Sequence, residues 1–183
     1  MSSEKDLSLK INLSKYPSLG SLCAASTDLG LAYFSYGLSQ GEYLENIAQI
    51  LGIQHLGHVH FSPKNSLAAV ALEQVQEYLS GNRQQFTVPI NWQLFTQFRT
   101  ILYQAVIAIP YGQTRAYSQI AAQIGRPKAA RAVGGANASN PIPIIIPCHR
   151  LIGADGSLRG YGGVGGIQTK RWLLDLEKQH LGM

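Results

Sequence analysis

Charge is in short supply in this chain. Asp, Glu, Lys and Arg make up 14% of the 183 residues, against 45% hydrophobic. Such a chain is globular and buries a core, so a chain disordered throughout is excluded. Cysteine is scarcer still. Cys23 and Cys148 are the only two, 125 positions apart. Two cysteines allow one disulfide, but free thiols in a cytosolic protein fit better. No apolar run approaches the roughly 18 residues that a membrane span needs. The opening MSSEKDLSLK is charged and has no apolar stretch, so we expect no secretory signal and a cytoplasmic location. Acids are rare in the second half. Residues 91–183 carry three Asp/Glu against ten Lys/Arg, while residues 1–90 carry seven against five. The net charges are +7 and −2, so any affinity for a polyanion, nucleic acid above all, belongs to the second half.

No internal repeat or low-complexity tract is present. The length suits one ordinary domain or two small ones, and the pattern favours two. Residues 1–17 read as a loose tail. SLGSLCAAST and GLAYFSY read as strands separated by a Thr-Asp-Leu-Gly turn. Helices are expected over 41–51 (Tyr43, Leu44, Ile47, Ala48 and Leu51 inward) and 66–79 (Leu67, Val70, Ala71 and Tyr78 inward), with a short strand at Phe86–Val88. Residues 18–90 thus form a small α+β unit. Residues 91–183 read as mainly helical. NWQLFTQFRTILYQAVIAIP gives one helix ended by Pro110. AYSQIAAQI and KAARAVGGANA give two short helices joined by the turn GRP, which is the helix-turn-helix pattern. A last helix is expected from about Thr169 to His180.

The second helix of that pair carries a signal of its own. With Ala129, Ala132, Val133 and Ala136 inward, Arg131, Gly134, Gly135 and Ala138 share the other face. Glycine inside a helix costs about 1 kcal/mol against alanine. Two in succession call for close approach of another helix or of DNA. One arginine on an otherwise bare helix suits a minor groove, where a side chain can also enter the base stack.

PIPIIIPCHR raises the chemical question. Cys148 follows a stiff apolar run, and His149 and Arg150 follow it. A thiol with a pKa near 8.5 is only slightly ionised at neutral pH, and a neighbouring imidazole can take its proton directly or through water. A carboxylate should orient that imidazole. Asp155, Asp175 and Glu177 are the available acids. Glu177 shares its helical face with Leu173 and Leu174 and is the best placed. Asn140, in ASNPIP, can pin the turn through its amide.

IPCHR, preceded by KAARAVGGAN and followed by GYGG and RWLLDLE, closely resembles the O6-alkylguanine-DNA alkyltransferase family. The likeness is strong over residues 91–178 and weaker over 18–90. It implies a small ribonuclease-H-like α/β domain before a helical domain with a winged-helix-like helix-turn-helix. It implies direct repair, by irreversible single-turnover transfer of the alkyl group from O6-alkylguanine, and from O4-alkylthymine, to Cys148. His149 would act through a water as base, Glu177 would orient it, and Asn140 would brace the turn. Tyr117 would crowd the phosphate, drive the base out and bond it. Arg131 would fill the vacated stack. Tyr161 would line the pocket, and the backbones of Cys148 and Leu151 would accept from the guanine amine. Lys128, Gly134 and Gly135 would lie on the DNA side. The partner implied is double-stranded DNA, entered from the minor groove by a monomer. No cofactor and no metal are called for, and the cellular place is the nucleoid, or the nucleus of a eukaryote. Two departures bear on pocket width: a loop about three residues longer before the last helix, and Gly162 where the family commonly has serine.

Other motifs carry less. Gly160–Gly165 spells G-x-G-x-x-G, but it follows a polar turn rather than a strand, so a loop over the pocket is the better reading. His55, His58 and His60 lie close in sequence without an acid or cysteine beside them. Cys23, inside a strand, is a small hydrophobe. His180 is expected at a solvated helix end.

Overall fold

The computed structural model describes residues 8–52, 59–61 and 66–182. They divide into two units, 1–76 with 86–94 and 77–85 with 95–183.

The first unit is built on a sheet of four strands. These are β1 (Leu9–Tyr16), β2 (Gly20–Thr27), β3 (Gly30–Tyr36) and β4 (Val59–Phe61), in the spatial order β3-β2-β1-β4. β2 is antiparallel to both its neighbours, and β4 runs parallel to β1. The start of the chain is therefore not the loose tail expected to residue 17. Leu9 and Ile11, two positions apart on one face of β1, are both buried and tie it into the core. Helix α1 (Gln40–Leu51) opens with a capping box between Ser39 and Glu42 and stops at Gly52 in the left-handed conformation. Its Tyr43 and Ile47 pack with Ile11, Cys23, Ala25 and Tyr33 on one side of the sheet. Helix α2 (Leu67–Leu79) is tied to the other side through Ala68 N–H to Ser26 Oγ at 3.2 Å. Small residues on β2 let both faces be covered. Cys23 lies wholly within this core, and burial pushes its thiol up to about 12.

No strand forms at Phe86–Val88. Gln74 accepts the backbone donors of Thr87 and Val88, and Pro89 has no N–H to give. Pairing starts later, with Leu31 N–H to Pro89 O at 2.7 Å and Asn91 N–H to Leu31 O at 2.9 Å. Gly30 sits at φ 144° where a side chain would strike the backbone of residues 89–91.

The second unit takes in the last turn of α2. Its other helices are α3 (Gln97–Ile107), α4 (Tyr117–Gln123), α5 (Ala130–Ala138) and α6 (Gly166–Gln179), with a parallel pair of two-residue strands, β5 (Arg115–Ala116) and β6 (Leu151–Ile152). The helix expected across 91–110 is shorter. Thr96 caps α3 through its hydroxyl, and Trp92–Leu94 makes only a 3-10 turn. α4 and α5 pack together across a turn at Gly125 (φ 73°), as the helix-turn-helix pattern predicts. On α5 the buried residues are Val133, Ala136 and Asn137, while Ala132, expected inward, is exposed. α6 begins three residues before the expected Thr169, because Thr169 Oγ1 bonds Val164 O and ties the glycine loop to the first turn.

Candidate active site

The run Pro141–Pro147 folds into a knot of backbone whose isoleucines are all buried. Asn140 holds it at both ends: Nδ2 donates to Ile146 O at 2.9 Å, and Ile142 N–H donates to Oδ1 at 3.0 Å. Ile144 is the one non-glycine residue among those described with positive φ, 72°. That conformation is costly for a β-branched side chain and persists only where its surroundings enforce it. The chain leaves this knot through a 3-10 turn, Cys148–Arg150.

Cys148 is 2% exposed. Burial pushes its thiol up to about 11, against the opposing pull of Asn140, the Lys170 charge and Tyr161. The resting sulfur is therefore a thiol. Asn137 Nδ2 donates to Cys148 O at 3.1 Å. Leu151 N–H donates to the same oxygen, so this carbonyl already has two donors.

His149 and Glu177 are wholly buried and meet at 2.8 Å, Nε2 to Oε1. Of the three acids in the second half, Glu177 is the one beside His149, and Asp155 and Asp175 are both exposed. Glu177 is also the acceptor of a dense set of donors. Arg150 contributes Nε and Nη2 at 2.9–3.1 Å, Gly112 N–H reaches Oε2 at 2.7 Å, and Tyr78 Oη reaches Oε1 at 2.6 Å. Burial would raise this carboxyl, but the hydrogen bond with His149 and the bonds and charge of Arg150 outweigh it and hold it at about 2. His149 is shifted the other way. Burial lowers its pKa despite Glu177, so the ring is neutral at rest. Its Nδ1 is buried with no hydrogen-bond partner among the described residues.

Lys170, on α6, is a fully buried ammonium. Nζ donates to Leu151 O at 2.6 Å and Arg159 O at 3.2 Å, and lies 3.5 Å from Tyr117 Oη. Burial lowers its pKa to about 8, and a thiolate at Cys148 would oppose that shift. Burial raises the Tyr117 phenol, and a thiolate at Cys148 would raise it further. Lys170 therefore links Tyr117 to the carbonyl of Leu151, a carbonyl expected to be reserved for a ligand.

The remaining predicted residues lie outward. Lys128 and Arg131 are exposed, and Tyr161 is half-buried. A methyl group at Gly134 or Gly135 would meet nothing within 4 Å among the described residues. The glycine pair is therefore not there to admit a packed helix. Gly162 is different: a Cβ would run into Ala138 O, so the pocket loop crosses the end of α5 where only glycine fits. No strand leads directly into the Gly160–Gly165 motif, since residues 153–159 separate it from β6. His55 and His58 lie outside the described residues, and His60 is exposed on β4; no group of three metal-ligating side chains occurs among the described residues. His180 is half-buried, with Nδ1 against Leu176 O at 2.9 Å, rather than solvated.

Sequence reasoning missed Tyr78, Asn137, Arg150 and Lys170. Tyr78 is 71 positions from His149 and 99 from Glu177. Periodicity marked it only as a core residue. Arg150 was legible as part of PCHR but had no assigned partner. Lys170 had a weak signal, a lysine two residues before the inward-facing WLL.

The family model for the DNA-binding domain of 6-O-methylguanine DNA methyltransferase matches residues 97–179. The chain is 45% identical over 138 residues to a methylated-DNA–protein-cysteine methyltransferase of Mycobacterium bovis, covering 75% of this chain and 82% of that protein. It is 42% identical over 155 residues to the inducible methyltransferase of that name from Bacillus subtilis, covering 85% and 83%. The crystal structure of Mycobacterium tuberculosis OGT in complex with DNA superposes with a TM-score of 0.74 at 38% identity, covering 93% of this chain and 94% of that one. Among the described residues no helix is long and apolar enough to cross a membrane.

Proposed function

The chain belongs to the methylated-DNA–protein-cysteine methyltransferase family, and from that premise we propose that Cys148 is the alkyl acceptor in a base-flipping repair of DNA. The observation that carries this reading is a buried thiol beside a neutral histidine that is itself held by a permanently ionised carboxylate.

His149 Nδ1 takes the thiol proton, through a water, and becomes imidazolium, which Glu177 stabilises through Nε2. The thiolate attacks the alkyl carbon. The carbon–oxygen bond breaks, its electron pair stays on guanine, and the ring recovers a proton from a donor at its edge. Tyr117 is that donor, and the Lys170 ammonium, 3.5 Å from its hydroxyl, stabilises the phenolate left behind. The sulfur ends as a thioether, which no group here can hydrolyse, so each molecule acts once.

Sulfur at 2% exposure cannot reach a base inside a duplex. The damaged nucleotide must leave the stack, at a cost of about a few kcal/mol. Arg131 on the open, glycine-bearing face of α5 fills the gap from the minor groove, and Lys128 meets the phosphates. The Leu151 carbonyl, with Lys170 on one lone pair, keeps the other for the guanine amine. O4-alkylthymine, smaller and chemically alike at the reacting carbon, fits the same route.

Intact-mass analysis after incubation with an O6-methylguanine duplex tests the reading. One gain of about 14 Da, a methyl for a proton on the thiol, is expected on Cys148, with stoichiometric loss from the DNA. Turnover beyond one equivalent, or a label on Cys23, overturns it.

A further inference from the structure

Tyr78 is a candidate positioning residue for this reaction, although it comes from the last turn of α2 and is remote in sequence from every other group at the site. Its hydroxyl is buried and faces two groups: Glu177 Oε1 at 2.6 Å and His149 Nε2 at 3.3 Å. A phenol has one proton to give. The shorter contact is to an ionised carboxylate, which can only accept, so the proton goes there. The Tyr78 oxygen then presents only lone pairs to the imidazole. His149 Nε2 is thus faced by two acceptors, Glu177 Oε1 and Tyr78 Oη, and its stable state carries the ring proton at Nε2. In the opposite tautomer an unprotonated Nε2 would confront a carboxylate at 2.8 Å.

We propose that Tyr78 locks His149 in the Nε2–H tautomer by committing its only proton to Glu177, and so keeps the Nδ1 lone pair free to take the thiol proton. The proposal rests on the reading of Cys148 as acceptor. The orphaned Nδ1 fits it: the nitrogen without a protein partner is the one assigned as base. Tyr78 also moderates Glu177. Its hydroxyl shares the negative charge at Oε1, which lowers the pull of that charge on an imidazolium. Among the described residues, Arg150 and Lys170 also lower the basicity of His149, the Cys148 thiol adjoins it in the chain, and Tyr111 lies edge-on to Tyr78 at 5.8 Å beneath the Arg150 guanidinium.

Tyr78→Phe keeps the ring and removes the hydroxyl. The expected result is a fall of about tenfold in methyl transfer, from both a methylated duplex and free O6-methylguanine, with duplex affinity unchanged. The acid limb of the rate–pH profile should move to higher pH, because an unshared Glu177 charge favours imidazolium, which cannot accept a proton. A purely structural role would lower the active fraction without moving that limb. Imidazole nitrogen NMR on the unreacted wild-type protein provides a test that needs no variant: His149 should carry its proton at Nε2 between pH 6.5 and 8, as expected for a neutral buried ring. A proton at Nδ1, or a Phe variant with an unmoved acid limb and a rate within twofold of wild type, overturns the proposal. Failure of wild-type Cys148 to gain a methyl group would instead sink the reading of function, and comparison of the wild-type and Tyr78→Phe tautomer spectra would still decide the role of Tyr78.

Discussion

Replacing Glu177 by glutamine offers a direct measure of how the site is held together. The carboxylate receives Tyr78, His149, Gly112 and the Arg150 fork, and none of it reaches solvent. Its pKa falls from an ordinary 4.5 to about 2. That drop corresponds to roughly 3 kcal/mol of folding free energy, at 1.36 kcal/mol for each step of one in pKa. The sign follows from the direction. A depressed carboxyl contributes its stability above the unfolded value of 4.5, and the contribution fades as pH falls toward 2. Glutamine has the shape of the protonated acid and no charge, and it leaves the Arg150 guanidinium buried without a counter-ion. Breaking a buried pair in this way costs about 3–5 kcal/mol. Urea unfolding at a series of pH values should therefore show the variant about 3 kcal/mol less stable at pH 7, with the gap closing between pH 4.5 and 2.5 as the wild-type group protonates. Methyl transfer should fall by at least about a hundredfold, because the imidazolium loses its stabilising charge. A stability gap that stays constant with pH, or a variant as stable as wild type at pH 7, would refute the assignment of Glu177 as the ionised centre of the cluster.

Arg131→Ala should slow transfer from a methylated duplex by about tenfold or more while leaving reaction with the free base within about twofold, since only the duplex needs its stack refilled; equal losses on both substrates would contradict this. Lys170→Met keeps the bulk of a buried side chain and removes the ammonium, so the fold should survive. The Cys148 thiol, already at about 11, should titrate still higher by thiol-reagent kinetics, with transfer falling roughly tenfold for a rise of one in pKa. Gly162→Ser forces a Cβ toward Ala138 O, so the pocket loop must lift; a stability loss of about 1–3 kcal/mol is expected, with a higher ratio of benzyl to methyl transfer, and an unchanged ratio would show that this crossing does not set pocket width.

Much of the second unit was open to reading because its signals are local. A thiol, an imidazole and a guanidinium occupy consecutive positions. An asparagine stands immediately before the run that it pins. Two short helices flank a glycine turn. Each is a relation within about ten residues, which pattern and turn chemistry can reach. Ala132 was misplaced because a nine-residue helix has little periodicity with which to choose between neighbouring faces, and the buried position went to the polar Asn137 through its bond to the Cys148 carbonyl. The first unit yielded its hairpin and helices but not β1. Leu9 and Ile11 are only two buried positions in a polar stretch, and they become a strand signal once β2 and β4 are beside them.

Sequence alone singled out the groups that we propose carry the chemistry: one cysteine with a histidine beside it, an arginine on a bare helix, and a carboxylate on a leucine face. It could do so because identity and short-range spacing set reactivity and local backbone form. Tertiary structure decided the protonation states. That the thiol rests protonated, that Glu177 stays ionised and that Tyr78 and Lys170 stand where they do all follow from burial and from partners up to 99 positions apart. Desolvation and charge proximity are properties of the folded space around a group, and no one-dimensional pattern contains them.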